Sequence, residues 1–211
     1  MILQTTFPTS SRTTNLAAVK TIAAGATFDG GMKQWDRSPS ACNDQVEGGD
    51  SDAVSLLQDG AVLSNVIVGP NNGEDSVHCL GTCALNNVWR TDVCEGAATF
   101  KQTSGKSYVN GRGVRGSDDK VLQHNGGGTV VVKNFFAQYS TSSNIRVDRA
   151  SVAVGINGNE GDNTTISNSY ILDSAICWIY KGNDGGSEPK KLASAPDGKA
   201  CVINPVKASV C

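Results

Sequence analysis

The chain has 211 residues, enough for one domain with a buried core. Charged residues make up 18% and hydrophobic ones 38%, with 24 glycines and no long Ala/Glu/Lys/Leu-rich periodic stretch, so an all-β fold is expected. A net charge of −2 argues against a nucleic-acid or acidic-membrane partner, and no window carries the roughly 18 apolar residues that span a bilayer.

Residues 1–14 are rich in Thr and Ser and read as a loose N-terminal segment, ahead of a single domain over residues 15–211. Residues 15–20 (NLAAVK) predict a short helix, capped by Thr14 or Asn15, that would close one end of the fold. From Phe28 onward, short β-rich runs are broken by Gly, Asn and Asp, a pattern of many short strands.

One phrase recurs, alternating apolar residues followed by Asn and more apolar residues, at 61–68 (AVLSNVIV), 84–89 (ALNNVW), 130–136 (VVVKNFF) and 165–171 (TISNSYI). Its asparagines are Asn65, Asn87, Asn134 and Asn168. The first step fits one coil of a solenoid and the second about two, whereas the third fits neither. Turn signals precede each phrase: Asp59-Gly60, Gly81-Thr82, Gly126-Gly127-Gly128 and Gly161-Asp162-Asn163. The pattern describes a parallel β-helix with Val, Ile and Leu inside and asparagines laddered at the bends. An antiparallel β-sandwich of the same turn density is the alternative.

Asp75, Glu95 and Lys120 stand at near-equal steps of about one coil, so in a solenoid they would stack on successive rungs about 4.7 to 4.9 Å apart. Two carboxylates so placed, completed by water and a substrate carboxylate, could hold Ca²⁺, and the Lys120 ammonium one rung on could meet an anionic substrate. Each residue taken alone reads as surface charge, with Lys120 paired to Asp118 or Asp119. His78 and His124, flanked by Val77 and Leu122, read as structural histidines. No Gly-x-Ser-x-Gly elbow supports a serine hydrolase.

Seven cysteines (Cys42, Cys79, Cys83, Cys94, Cys177, Cys201 and Cys211) are scattered rather than set in paired zinc knuckles. They predict disulfides, an oxidising compartment and a secreted, extracellular protein, with at least one thiol left over. Met1-Ile2-Leu3 is too short for the apolar core of a signal peptide, so secretion is inferred from the cysteines and implies a leader removed or absent.

Several of these words belong together. Residues 28–37 (FDGGMKQWDR), 92–95 (DVCE), 118–128 (DDKVLQHNGGG) and 182–184 (GND) resemble fungal pectate lyases of polysaccharide lyase family 3, over roughly residues 15–139 and 152–211. The resemblance implies a right-handed parallel β-helix that cleaves polygalacturonate, the de-esterified pectin of plant cell walls, by Ca²⁺-dependent β-elimination. It implies calcium ligands at Asp75 and Glu95, and a substrate-binding, catalytic Lys120. A monomer is expected.

Three departures accompany it. Gly96 stands where the family carries a further Asp, removing a carboxylate. The family's Lys-x-x-Arg-Ser-Cys-Gly-Asn-Cys segment after Asn-Phe-Phe-Ala is absent, and the chain runs from Gln138 to Arg146 before rejoining the pattern at 154–157 (VGIN). Arg146 is the candidate replacement for the arginine lost with it. Arg90 stands where a second Trp often follows Trp89, and Arg112 replaces a Gly. The lost segment accounts for the irregular third step and the odd cysteine. Weakened calcium binding and activity are expected; the alternative is a non-catalytic, pectate- and calcium-binding secreted protein.

Overall fold

The computed structural model describes residues 6–43, 49–73, 75–94, 96–116, 120–138, 152–171, 175–182 and 190–207. In chain order its strands are β1 (Thr13–Leu16), β2 (Lys20–Ile22), β3 (Thr27–Arg37), β4 (Ser55–Leu57), β5 (Ala61–Val68) and β6 (Val77–Cys79). There follow β7 (Cys83–Arg90), β8 (Ala98–Phe100), β9 (Lys106–Arg115), β10 (Lys120–His124) and β11 (Thr129–Gln138). The series ends with β12 (Val152–Asn157), β13 (Asn163–Ile171), β14 (Ala175–Lys181), β15 (Lys190–Ala195) and β16 (Cys201–Lys207).

From β1 to β14 successive strands alternate between two eight-stranded sheets, one ordered β1-β3-β5-β7-β9-β11-β13-β16 and the other β15-β14-β12-β10-β8-β6-β4-β2, in which β14 and β15 are neighbours. Every pairing is parallel except β14 with β15. Parallel neighbours that alternate sheets in this way are the coils of a β-helix, the fold the asparagine phrases predict.

The asparagines explain the bend. Asn65, Asn87 and Asn134 have φ of 54°, 58° and 53°, and Met32 and Gly111 occupy the same left-handed region at 56° and 68°. Asn and Gly tolerate this region best because other side chains crowd the following carbonyl. Register places these residues on one line across β3, β5, β7, β9 and β11, so each long strand turns a corner there. The corner is bonded between coils: Asn87 Nδ2 donates to Asn65 Oδ1 at 2.6 Å, and Asn65 Nδ2 to Asp29 Oδ2 at 2.9 Å.

Inside, Leu63, Leu85, Val109, Val132 and Ile166 stack on one wall, all buried. On the facing wall Leu57, Cys79, Phe100, His124 and Ile156 form the matching column. His124 thus belongs to the core, as its apolar flanks predict. Burying each large aliphatic contributes about 1.5–3 kcal/mol.

Two sequence expectations are corrected. No α-helix forms at 15–20, and none occurs elsewhere among the described residues; Thr13–Leu16 is instead an edge strand paired in parallel with residues 34–37 of β3. Backbone pairing to an open sheet edge outweighs the helix propensity of Leu16-Ala17-Ala18. Ahead of it, Phe7 is docked, with its ring centroid 4.9 Å from that of Trp89 and 6.1 Å from that of Phe136. Second, the irregular step between Asn134 and Asn168 is one coil rather than a break, because β11 pairs directly with β13 and β10 with β12.

Three disulfides close the framework: Cys42–Cys94, Cys79–Cys83 and Cys177–Cys201. Cys79, Cys83 and Cys94 are therefore not zinc thiolates. Cys211 lies outside the described residues.

Candidate functional site

Asp75 stands two residues before β6 and forms an isolated parallel bridge with Gly96, two residues before β8. The Ser76 amide donates to the Gly96 carbonyl at 3.2 Å. β10 pairs with β8 from Leu122–Ala98 onward, and the Ala97 amide donates to the Val121 carbonyl at 3.2 Å, so the start of β10, at Lys120, comes onto the rung after Gly96. The column is therefore Asp75, Gly96 and Lys120 on three consecutive rungs. Asp75 and Lys120 are brought into line as their spacing predicts, while Glu95 is one position before the residue that occupies the middle rung. Glu95 itself lies outside the described residues, as does Arg146.

Around Asp75 the structure assembles side chains that the sequence reading did not gather. Thr99 donates its hydroxyl to Asp75 Oδ2. His78 places Nε2 3.6 Å from the same oxygen and Nδ1 2.5 Å from Asp50 Oδ1. Lys101 Nζ lies 2.6 Å from Asp50 Oδ1 and 3.2 Å from His78 Nδ1. His78 and Thr99 are register partners on β6 and β8, and their neighbours Val77, Cys79, Ala98 and Phe100 fill the core. Strand alternation therefore sends His78, Thr99 and Lys101 to the outer face.

Asp50 reaches this face from the segment between β3 and β4, which is held by Arg37 Nη1 donating to the carbonyls of Ser51 at 2.6 Å and Ala53 at 3.0 Å. Cys42–Cys94 ties the start of the same connection to the turn just before Glu95.

The charges are tuned by these contacts. Burial works against protonated His78, yet the Asp75 carboxylate, and then Asp50, outweigh it, so the imidazole titrates above its ordinary 6.5. Desolvation works against ionised Asp50, and Lys101 and His78 overcome it, lowering its pKa. In the core column, burial pushes His124 down to about 4, so it is neutral at pH 7.

Arg90 ends β7 in the register line of Val68 and Val114, and all three are buried. Burial lowers its pKa to about 10, with Asp75 acting in the opposite direction.

A hard cation would find oxygen donors of the right kind here, in the Asp75 carboxylate and the Thr99 hydroxyl. Ca²⁺ takes six to eight oxygens, and among the described residues no three His, Cys, Asp or Glu side chains gather around one point. The donors fit calcium in chemistry and require Glu95, next to Gly96, to approach it in number.

The chain is similar to known proteins over most of its length. The family model for pectate lyase matches residues 4–142. Pectate lyase E of Emericella nidulans is 40% identical over 209 residues, covering 90% of this chain and 81% of that protein. A probable pectate lyase D of Aspergillus fumigatus is 40% identical over 195 residues, covering 83% and 80%. Among solved structures, the catalytic domain of pectate lyase PelI from Erwinia chrysanthemi has a TM-score of 0.59 at 23% identity, covering 95% of this chain and 98% of that one. PelI in complex with tetragalacturonic acid has a TM-score of 0.56 at 21% identity, covering 93% and 69%. The solved structures share the fold; the family model and the relatives at 40% identity establish that the chain belongs to the pectate lyase family.

Proposed function

We propose that the chain is a secreted, calcium-dependent pectate lyase that cleaves polygalacturonate, the de-esterified pectin of plant cell walls, by β-elimination. The observation that carries it is membership of the pectate lyase family, at about 40% identity to proteins named pectate lyases, in a coil that sets Asp75 and the Lys120 end of β10 on the rungs either side of Gly96. Three disulfides fit an oxidising, extracellular setting.

In this reaction a base removes the proton from C5 of a galacturonate. The C5–H electron pair becomes the C4–C5 double bond, the C4–O bond breaks, and the departing sugar oxygen takes up a proton; no water is consumed. Asp75 and Glu95 would hold the calcium, whose charge would supply neutralisation of the carboxylate on C5 and so acidify that proton. Lys120 meets the substrate carboxylate from the next rung. Lys101, partly exposed and bonded to Asp50 on the outer face, adds a further cation near Asp75. Arg146 is the candidate base; guanidinium holds its proton strongly, so the role requires local charge to release it.

A second reading, a non-catalytic protein that binds pectate and calcium, is favoured by one observation: Gly96 supplies no carboxylate on the middle rung of the column. Incubation with polygalacturonate and Ca²⁺ separates the two. Ultraviolet absorbance of an unsaturated product that is lost in Lys120→Ala is expected, whereas binding without product selects the second reading, and full activity in Lys120→Ala removes Lys120 from the chemistry.

A further inference from the structure

The outer face that carries His78 and Thr99 runs on to the last coil. The register His78, Thr99, Gln123, Gly155, Trp178 forms one outward line, because the residue before each, from Val77 to Cys177, is buried in the core. Three rungs separate Thr99 from Trp178, about 14 Å at the ladder spacing. Trp178 is only partly buried, and Gly155 brings no side chain to the rung before it. Strand β15 then folds back antiparallel on β14 with a shift in register: Ile179 pairs with Ala193 but Tyr180 with Lys191, leaving Leu192 as an extra residue. In unbroken register Leu192 would face Tyr180 and Lys191 would face Lys181. The bulge instead turns Lys191 to the Trp178 face, where its Nζ lies 5.3 Å from the indole centroid. It also sets Lys190 directly opposite Lys181, a pairing of like charges that costs stability unless an anion is shared. All three lysines are exposed, and among the described residues none makes an ion pair.

We propose that Trp178 and Lys191 form a subsite for one acidic sugar of the substrate chain, the indole stacking on the C–H face of the pyranose ring and the ammonium pairing with its carboxylate. This rests on the reading of polygalacturonate as substrate and deepens it, by extending the bound chain along the outer face to the last coil. Trp178 supplies a large, rigid apolar surface with little rotamer freedom to lose. An entering sugar displaces the ammonium from the indole, and the flexible lysine stem lets the same ammonium meet the carboxylate at the edge of the ring. Lys181 and Lys190 add positive potential that draws in an anionic chain and gives no gain to a methyl-esterified one.

The test is retardation of the full chain in native gels containing polygalacturonate, beside initial-rate kinetics on the same polymer, for the wild type, Trp178→Ala, Trp178→Phe, Lys191→Gln and Lys106→Gln. Lys106, exposed on the other sheet, is the charge control. Trp178→Ala is expected to bind about tenfold more weakly, a loss that appears in KM rather than kcat. Lys191→Gln should lose about threefold, less at high salt and nothing on methyl-esterified pectin, while Lys106→Gln stays near the wild type. Trp178→Phe keeps a ring in place and gives an independent reading should Trp178→Ala not fold: the fluorescence change that polygalacturonate causes in the wild type disappears in it. Wild-type binding by Trp178→Ala, or an undiminished fluorescence response in Trp178→Phe, overturns the subsite and leaves the lyase reading standing. A loss in Lys106→Gln equal to that in Lys191→Gln overturns the role of Lys191, since net charge alone then accounts for it. Binding that depends on Trp178 without any product sinks the lyase reading and leaves the subsite, and a wild type that does not bind polygalacturonate sinks both.

Discussion

His78 Nδ1 meets Asp50 Oδ1 at 2.5 Å, joining the segment between β3 and β4 to the outer face of β6, where Asp75 stands three residues before the histidine. The ring sits between two carboxylates and its folded-state pKa is raised. A raised pKa means that the folded state binds the proton more tightly. The resulting stability is complete below the unfolded value of about 6.5 and is lost as pH rises through the folded value. Melting temperature measured from pH 5 to 9 should therefore decline on the alkaline side in the wild type, and the decline should be shallower in His78→Gln. Identical profiles would show that the imidazole carries no charge-dependent stability.

His124 has the opposite sign. It stacks in the core column between Phe100 and Ile156, with Nε2 3.8 Å from Asp162 Oδ1, and burial lowers its pKa to about 4. The folded state resists the proton, so stability is complete above about 6.5 and declines as pH falls toward 4, by about 3 kcal/mol at the lower end. Denaturation measured at pH 7 and pH 4 should give a smaller acid loss for His124→Leu, which also suits an apolar column. An unchanged acid loss would place the sensitivity elsewhere.

Asn87 combines a left-handed backbone with four side-chain contacts: its Nδ2 donates to Asn65 Oδ1 and to Met32 Sδ at 3.2 Å, and its Oδ1 accepts from Arg112 Nε at 2.7 Å and Trp89 Nε1 at 3.1 Å. Asn87→Ala loses the contacts and strains the corner, and should cost about 2–4 kcal/mol. Asn87→Gly keeps the backbone conformation and should cost less. Urea denaturation of both variants checks the order; a glycine variant as unstable as the alanine variant would show that backbone strain contributes little.

The Cys42–Cys94 disulfide spans 52 residues and ties the connection that bears Asp50 to the turn ahead of Glu95. Replacing both cysteines with serine should lower unfolding free energy by up to about 4 kcal/mol on the chain-entropy argument. Guanidinium denaturation with and without reductant measures this, and a reductant that destabilises the double variant as much as the wild type would assign the effect to another bridge.

The coil was legible in the sequence because its corner demands a residue that tolerates positive φ, and Asn recurs there. That Asp75 and Lys120 fall on nearby rungs was legible from their spacing, since one coil length separates rungs, whereas the middle rung is held by Gly96. Other features depend on tertiary pairing. Thr14 to Leu16 became strand because β3 offers an edge, which helix propensity cannot report. Asp50 and Lys101 lie 51 residues apart and meet only through the connection between β3 and β4. Arg90 showed its charge in the sequence, while its place between Val68 and Val114 is a matter of register.

The most direct test of the account follows initial rates of unsaturated product formation on polygalacturonate across a calcium titration, for the wild type and Asp75→Asn. The wild-type rate is expected to rise with calcium and vanish with chelator, and the Asp75→Asn rate to be at least about tenfold lower at the same calcium level. An Asp75→Asn variant with the wild-type rate and the wild-type calcium dependence would contradict it.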